Sequence, residues 1–416
     1  MKDPFEEPGV DVDGDRRGAT ATLLIVLAGL AVLFIVRPST RSGLAIIVGI
    51  VAMVMLHECG HYLVAKRSGM KVTEFFLGFG PRLWSFRRGE TEYGVKAIPA
   101  GGYVRVVGMT NLEEVDAADD ARTFRRGSYR DRFLLTIAGV SVNALIAFVL
   151  FFVVVAGEGR IAEGPNTTVS TVVTHSAAAG AGFHNGDRII GVDNKPISSW
   201  NGLKAAIEPR ANEATSFTVV RDHQVVTLDA TPARQAGKGF LGIGPGTQYR
   251  SVGILGAVPQ SLRSMGDITT GTAAAFGHLL SPAGVASYAK NFTSSSATSS
   301  TSSSSGSSSS SQDRPVSIIG IVTQGSQIVN GNIWALLWLL GAISLILALF
   351  NLLPVLPFDG GHAVVVLYEW IASTIRGHEV RVDFRKLMPL TAVVLVLILT
   401  LSLSAAFLDV RQAFGG

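Results

Sequence analysis

The pentapeptide His57-Glu58-Cys59-Gly60-His61 lies in an apolar stretch, and no charged residue occurs from Leu44 to Leu56. In a helix, the two histidines of this motif are one turn apart on the same face. Two neutral imidazole nitrogens suit Zn2+, and Glu58 is placed to take a proton from water at the metal. Because ionisable residues inside an apolar span are costly, this pattern indicates a functional site within a membrane.

The composition favours a membrane setting for this motif. Of the 416 residues, 48% are hydrophobic and only 16% are charged, and the mean hydropathy is +0.38. Ordinary globular chains carry roughly 25% charged residues, so the deficit predicts a membrane protein rather than a large soluble one. The net charge of +4 is mild, and we interpret it as membrane orientation and not as nucleic-acid binding. Cys59 is the single cysteine, which excludes an intrachain disulfide.

Five segments are apolar over the roughly 17–25 residues that a helix needs to cross a bilayer. They are 18–36, 44–65, 133–157, 332–353 and 387–408. The first could be a signal peptide, but the residues before it are acidic and no clear A-x-A cleavage site follows it. We therefore expect an uncleaved anchor at 18–36.

Basic residues are concentrated in two of the loops between these segments. Loop 66–132 is rich in Lys and Arg, and the short loop 376–386 adds Arg376, Arg381, Arg385 and Lys386. The positive-inside rule puts both loops in the cytoplasm, which leaves the N-terminus inside and places segment 158–331 and the C-terminus outside. His57 then lies roughly 20 Å into a hydrocarbon core of about 30 Å, where water must arrive through a protein-lined cavity.

The exterior segment is expected to have a folded part and a flexible part. Residues 168–231 have the patterning of short strands and turns, and GAGFHNGDRIIGVDNKPI at 180–197 resembles a PDZ domain of the bacterial protease type. Residues 293–311 are nearly all Ser and Thr. They cannot bury apolar surface, so they predict a flexible linker.

Residues 70–109 predict a β-hairpin rather than a simple loop. Two strand-like stretches, 82–86 and 91–98, flank the turn signal Arg87-Arg88-Gly89-Glu90. The entrance to the hairpin is apolar, with Phe75, Phe76, Leu77 and Phe79. Such a piece can dip into a membrane only where protein covers its backbone.

A catalytic zinc ion usually has three protein ligands, so a third polar residue is expected at similar depth. No charged residue occurs over 316–358, and Asp359 then lies among prolines and glycines at 354–361 that break the helix. A broken helix frees backbone groups to line a cavity, which favours Asp359 as a ligand over the alternative that it marks the end of a span. His362 could also be a ligand, but a partner of a ligand or a helix cap is favoured. Cys59 is interpreted as a packing residue because it points away from the histidine face.

Together, two motifs resemble the site-2 protease family of intramembrane zinc metalloproteases, peptidase M50. They are His57-Glu58-Cys59-Gly60-His61 and Asn351-Leu352-Leu353-Pro354-Val355-Leu356-Pro357-Phe358-Asp359-Gly360. The pattern is most similar to the bacterial PDZ-containing branch of the regulator-of-sigma-E protease type, which cleaves anti-sigma factors in regulated intramembrane proteolysis. Further matching pieces are FFLGFGPRLWSF at 75–86, IPAGGYVRVVGM at 98–109 and AGVSVN at 138–143, where Val140 replaces the family's usual Pro.

The resemblance covers about residues 44–416 and implies a role for each motif. It implies Glu58 as the catalytic acid and base. It implies a zinc site formed by His57, His61 and Asp359. It implies two substrate-contacting residues near the scissile bond, Asn351 and Pro354. It also implies that the 82–98 hairpin is a surface where an unwound substrate adds as a strand.

The expected partners are single-pass membrane proteins of the anti-sigma-factor type, cut first on the extracytoplasmic side, and the lipid bilayer. No nucleic-acid partner is expected. Two features depart from the family pattern. Span 18–36 precedes the zinc motif, and the Ser/Thr tract at 293–311 is unusual.

We therefore expect an α-helical polytopic protein of the plasma or inner membrane, with about five transmembrane helices, a membrane-associated β-hairpin and an inserted extracytoplasmic PDZ-like α+β domain. The expected divisions are a tail and anchor at 1–43, the catalytic core at 44–157 and 332–416, the PDZ-like domain at 158–235 and a linker at 236–331. Two alternatives are a membrane metal transporter and a catalytically inactive PDZ scaffold. The clustering of polar residues at one depth argues against the transporter, and the intact Glu58 argues against the scaffold.

Overall fold

The computed structural model of the chain describes residues 40–110, 113–161, 167–174, 176–235, 237–245, 249–250, 252–293 and 317–414. The predicted anchor at 18–36 and nearly all of the Ser/Thr tract lie outside these residues. The described chain forms two compact units. One is helical and contains the residues up to Val154 and from Ser261 onward, and the other is β-rich and runs from Val155 to Gln260.

The α-helices of the described chain are, in order, α1 (Arg41–Arg67), α2 (Tyr129–Gly157), α3 (Ala177–Gly180), α4 (Trp200–Ile207), α5 (Gly253–Leu280), α6 (Pro282–Thr293), α7 (Ile318–Val329), α8 (Ile333–Asn351), α9 (Asp359–Arg376) and α10 (Met388–Phe414). The strands are β1 (Val72–Arg88), β2 (Thr91–Val106), β3 (Arg160–Ile161), β4 (Val169–Val172), β5 (Arg188–Val192), β6 (Lys195–Pro196), β7 (Thr215–Arg221), β8 (Gln224–Ala230), β9 (Ala233–Gln235), β10 (Lys238–Phe240), β11 (Ile243–Pro245) and β12 (Tyr249–Arg250).

Within the described residues, four helices are long and apolar enough to cross a membrane, namely α1, α2, α8 and α10. They coincide with four of the five segments expected from the sequence. α2 begins one turn earlier than the apolar pattern suggested, and its first turn contains three charged residues. The hydroxyl of Ser128 accepts a hydrogen bond from the backbone N–H of Asp131, which caps this polar turn.

Small residues let the apolar helices of the helical unit pack closely, as is typical of membrane proteins. Gly325 of α7 lies where an added Cβ would be 2.8 Å from Leu339 of α8. Ser344 of α8 is fully buried and donates a 2.9 Å hydrogen bond to the backbone carbonyl of Asn143 on α2. These contacts hold α7, α8 and α2 at fixed positions within the unit.

β1 and β2 form a folded sheet beside α1. Leu77 of β1 pairs with Gly102 on one side and with Val95 on the other, and Val95 in turn pairs with Trp84. The first half of β1 is therefore an interior strand of this sheet. The two edges of the sheet are the segments 82–88 and 102–106. The predicted turn is present, because Arg88 lies opposite Thr91.

The β-rich unit is a small α+β fold with its own core. Its main sheet has the strand order β6-β5-β7-β8, and β4 pairs separately with β11. Side chains from these strands and from α3 and α4 form one apolar cluster. Its buried members are Val169, Ala178, Phe183, Ile189, Val192, Leu203, Ile207, Phe217, Val219, Ala230 and Leu241. The cluster gives this unit a core that is built from its own residues.

The range 236–331, expected to be a linker, contains helices α5, α6 and α7 in its described part. The second half of α5 packs on the apolar helices of its unit. The ring of Phe276 is 4.9 Å from the ring of Phe350 at the end of α8, and Met265 contacts the cluster around Phe151. Gly and Thr residues and Pro259 lie within α5, and they lower its intrinsic helical propensity.

Candidate metal centre

His57 and His61 lie one turn apart on α1, and Asp359 is the first residue of α9. The two Nε2 atoms are 3.3 Å apart, and each is 3.2 Å from Oδ2 of Asp359. Both histidines are only 8% exposed. The fold thus brings three polar groups together in the interior, across 298 residues of sequence.

The spacing of these three atoms fits a zinc ion. In a tetrahedral zinc site with bonds of about 2.0–2.1 Å, any two ligand atoms are about 3.3 Å apart. Two imidazoles and one carboxylate are also a donor set found at catalytic zinc sites, where the fourth position takes water or substrate. The three residues are therefore close enough, and of the right chemistry, to bind a metal ion.

A backbone hydrogen bond orients His61 toward this centre. Its Nδ1 lies 2.8 Å from the carbonyl oxygen of Leu135 on α2. Because a carbonyl only accepts, Nδ1 must carry the proton, which leaves the Nε2 lone pair directed at Asp359 and His57. Nδ1 of His57 is buried and has no hydrogen-bond partner among the described residues.

Gly139 of α2 lets the helix backbone approach the two imidazoles. A Cβ added at this position would lie 2.4 Å from Nε2 of His61 and 2.5 Å from Cε1 of His57. Any side chain here would overlap the rings, so the wall on this side of the centre is backbone. The sequence singled out the stretch 138–143 only as a resemblance, and it gave no sign of this close approach.

Glu58 faces the sheet formed by β1 and β2. A Cβ added at Gly102 of β2 would lie 3.2 Å from Cγ of Glu58 and 3.2 Å from Sδ of Met55. The Glu58 carboxylate interacts electrostatically with both histidines, with Asp359 and with the backbone of Val104. The edge 102–106 of the sheet therefore lies alongside this carboxylate.

A charged cluster ties the tip of the sheet to the end of α1. Glu90 accepts hydrogen bonds from Nζ of Lys66 at 2.6 Å and from Nη1 and Nη2 of Arg122 at 2.7 and 2.8 Å. The hydrogen bond from Arg122, followed by that from Lys66, lowers the pKa of Glu90 from 4.5 to about 2. These charges hold β1 and β2 in place beside the helix that carries the histidines.

Asn351 and Pro354 lie on the connection between α8 and α9. Asn351 is the last residue of α8 and Pro354 follows in an irregular segment that leads to Asp359. This segment packs tightly on the start of α9, because a Cβ added at Gly360 would lie 2.2 Å from the carbonyl oxygen of Leu352. The connection therefore fixes where α9 begins.

Two further residues considered from the sequence lie near the centre. His362 follows Asp359 by one turn, and its Nδ1 is buried without a hydrogen-bond partner in the described part of the chain. Cys59 is a half-buried free cysteine outside the group of candidate ligands. The carbonyl of Leu135 was missed, because a backbone acceptor leaves no mark in the sequence.

Comparison with known proteins places the chain in a family. Residues 45–399 match Peptidase family M50. Zinc metalloprotease Rip1 of Mycobacterium tuberculosis is 32% identical over 390 residues, which cover 84% of this chain and 92% of the relative. Metalloprotease MmpA of Caulobacter vibrioides is 30% identical over 351 residues, which cover 77% of this chain and 84% of the relative. With four apolar helices in its described part, the chain is a multi-pass membrane protein and a zinc metalloendopeptidase that belongs to peptidase family M50, the site-2 protease family.

Proposed function

We propose that this chain cleaves membrane-spanning segments of single-pass membrane proteins, anti-sigma factors among them, in regulated intramembrane proteolysis. The observation that carries the proposal is the trio of ligand atoms, 3.2–3.3 Å apart, on an apolar helix and at the start of α9. A hydrolytic centre on a helix long enough to cross the bilayer can reach peptide bonds that lie within the bilayer.

In this proposal the zinc ion is held by His57, His61 and Asp359. When bound, zinc supplies a Lewis acid that lowers the pKa of water and polarises the scissile carbonyl. The hydrogen bond from His61 to Leu135 keeps the ring in the tautomer that can ligate. Asp359 contributes a negative charge that partly offsets the charge of the ion in the low-dielectric interior.

Glu58 is proposed as the general base and then the general acid. It takes a proton from the attacking water and passes it to the leaving amine. Its place next to His57 in the sequence and its electrostatic interaction with all three candidate ligands support this role.

The substrate must unwind before it can be cut, because a helix hides its carbonyl groups in i to i−4 hydrogen bonds. Within the 82–98 hairpin that the resemblance implied, strand 91–98 is interior, so we propose instead that the edge 102–106 beside Glu58 pairs with an extended substrate. Asn351 is proposed to donate to the substrate backbone or the oxyanion, and Pro354 to contact the substrate near the scissile bond. Their position just ahead of Asp359 supports these roles.

The β-rich unit is proposed to be a PDZ-like domain outside the cytoplasm. The basic loops 66–132 and 376–386 support this orientation, with five spans including 18–36, a cytoplasmic N-terminus and an extracytoplasmic C-terminus. We propose that the domain excludes substrates with bulky ectodomains. A first extracytoplasmic cut would then precede cleavage by this protein.

Replacing Glu58 with Gln tests the proposed function. The purified full-length chain would be mixed with a single-pass membrane peptide in detergent, and cleavage and zinc content would both be measured. We expect Glu58→Gln to lose cleavage while keeping zinc, and Glu114→Gln, at an exposed carboxylate, to keep both. A transporter or a scaffold would not depend on Glu58, so undiminished cleavage products in the Glu58→Gln variant would overturn the proposal.

The substrates can be sought with the same pair of variants. Membrane fragments from cells that express the wild-type chain would be compared with those from cells that express Glu58→Gln. Fragments that end within a membrane span and occur only with the wild type identify the substrates. If no such fragment differs between the two, the proposed action on membrane spans is wrong.

A further inference from the structure

A buried ion pair connects α2 and α9 away from the metal centre. Nη2 of Arg132 on α2 lies 2.7 Å from Oε2 of Glu369 on α9. Arg132 is 2% exposed and Glu369 is 1% exposed. Removing two charges from water carries a large desolvation penalty, and the attraction between them often does no more than offset it. The pair therefore calls for an explanation other than the stability of the fold.

Neighbouring groups contact both members of the pair, and Glu369 is the more fully bonded of the two. The Arg132 guanidinium lies 4.9 Å from the centre of the Phe124 ring. Oε1 of Glu369 accepts a 2.8 Å hydrogen bond from the backbone N–H of Val382, and Nη1 of Arg381 lies 3.4 Å from Oε2. Because both carboxylate oxygens are engaged, the Glu369 side chain has little freedom to rotate. The same contacts restrict rotation of α9 about its axis.

The pair links the elements that carry the candidate ligands. Arg132 is one turn ahead of Leu135, whose carbonyl accepts the hydrogen bond from His61. Glu369 is on the same helix as Asp359, ten residues further on, which is roughly 15 Å along the axis. A 2.9 Å hydrogen bond between the hydroxyls of Tyr129 and Ser373 also connects the start of α2 to α9.

Apolar packing fills the space between these links and the centre. Leu135 of α2, Val366 of α9 and Ala65 of α1 belong to one buried cluster. Apolar contacts resist separation of helices, but they are compatible with small rotations and shifts along a helix axis. A directional ion pair restricts that freedom, which matters at Asp359 because metal–ligand distances are expected within about 0.2 Å of their standard values.

We propose that Arg132 and Glu369 are positioning residues for the metal centre. The pair sets the rotation and height of α9 against α2, and so holds the Asp359 carboxylate 3.2 Å from the two imidazoles. Its main effect is on metal affinity and coordination geometry, not on the stability of the fold. This inference rests on the proposed ligand set of His57, His61 and Asp359.

The test is a double substitution that replaces the pair by apolar residues of similar size, Arg132→Met with Glu369→Leu. Such replacements of buried ion pairs are often neutral for stability. We expect the thermal unfolding midpoint to stay close to that of the wild type. We expect zinc affinity, measured by competition with a chelator, to fall roughly 10- to 100-fold, as is usual when the support of a metal ligand is lost. The visible spectrum of the Co2+-loaded protein should also change.

The β-rich unit offers a matched control. There, Nε of Arg221 lies 2.7 Å from Oδ1 of Asp187, whose side chain is fully buried. The double substitution Arg221→Met with Asp187→Leu removes an ion pair of the same chemistry from the other unit. It should leave zinc affinity and the Co2+ spectrum unchanged.

The outcomes separate this inference from the proposed ligand set. If Asp359→Ala retains stoichiometric, tightly held zinc, the ligand set itself is wrong. If Asp359→Ala loses zinc but the Arg132/Glu369 double variant binds zinc and Co2+ like the wild type, the positioning role is wrong. Should the double variant fail to fold, the single change Arg132→Lys keeps the charge but loses the planar fork of donors. It should then fold and show the weaker zinc affinity, and wild-type affinity in it would overturn the inference.

Discussion

Replacing Gly139 with Ala should disable the metal centre while leaving the fold in place. The added Cβ would lie 2.4 Å from Nε2 of His61 and 2.6 Å from Nε2 of His57, whereas ordinary contacts begin at 3.4 Å. The rings or the backbone of α2 must therefore move by about 1 Å, and metal ligands tolerate only about 0.2 Å. Because a misplacement of about 1 Å at a reacting centre costs roughly 100-fold in rate, we expect at least that loss.

The assay combines cleavage of a single-pass membrane peptide with the zinc content of the purified protein. Gly271→Ala is the matched control, since nothing lies within 4 Å of a Cβ added there and the residue is within α5. That change should preserve cleavage and stabilise the helix by up to about 1 kcal/mol. If Gly139→Ala kept wild-type cleavage and stoichiometric zinc, the backbone wall at the imidazoles would be wrongly placed.

Three other substitutions test neighbouring parts of the helical unit. Asp359→Ala should lower zinc retention during dialysis against a chelator by at least tenfold, and unaltered retention would exclude it as a ligand. Gly360→Ala would bring a Cβ to 2.2 Å from the carbonyl oxygen of Leu352, so it should lower both the unfolding midpoint and the rate of cleavage. If both stayed at the wild-type values, the tight packing at Gly360 would be contradicted. Glu90→Gln should destabilise the protein by about 1 kcal/mol at pH 7 after allowance for solvent screening. Because the pKa of Glu90 is lowered from 4.5 to about 2, this difference should be full above pH 4.5 and shrink as pH falls toward 2, which unfolding curves at several pH values measure.

The apolar helices and the histidine motif could be predicted because their signals are local. A run of about 20 apolar residues specifies a spanning helix almost regardless of context, and α1, α2, α8 and α10 lie where such runs occur. A turn signal between two strand-like stretches specified the hairpin at Arg88 in the same way. Asp359 could also be singled out from the sequence, since an isolated charge after a long apolar run is unusual.

The residues that position the metal ligands could not be predicted, because their roles depend on contacts between distant parts of the chain. Leu135 acts through its backbone carbonyl, and Gly139 acts through the absence of a side chain. Arg132 and Glu369 are ordinary charged residues in sequence, and only their mutual burial makes them notable. Helix α5 was missed because its Gly and Thr residues and Pro259 lower its helical propensity, so its apolar residues at helical spacing were not read as a helix.

Glycines surround the candidate centre on several sides, and the proposed position of the centre within the membrane explains why. Lipid cannot satisfy a polar group, so a centre within the bilayer must be enclosed by protein. At Gly139 and Gly102 the enclosing surface is backbone, which comes within contact distance of the histidine rings and of Glu58. At Gly360 the same closeness lets the broken segment fold back on α9. A surface made of backbone is thinner than one made of side chains, and it carries N–H groups that can bind a carboxylate or an extended peptide. A site built this way can be sealed from lipid and still present hydrogen-bond donors to an unwound substrate.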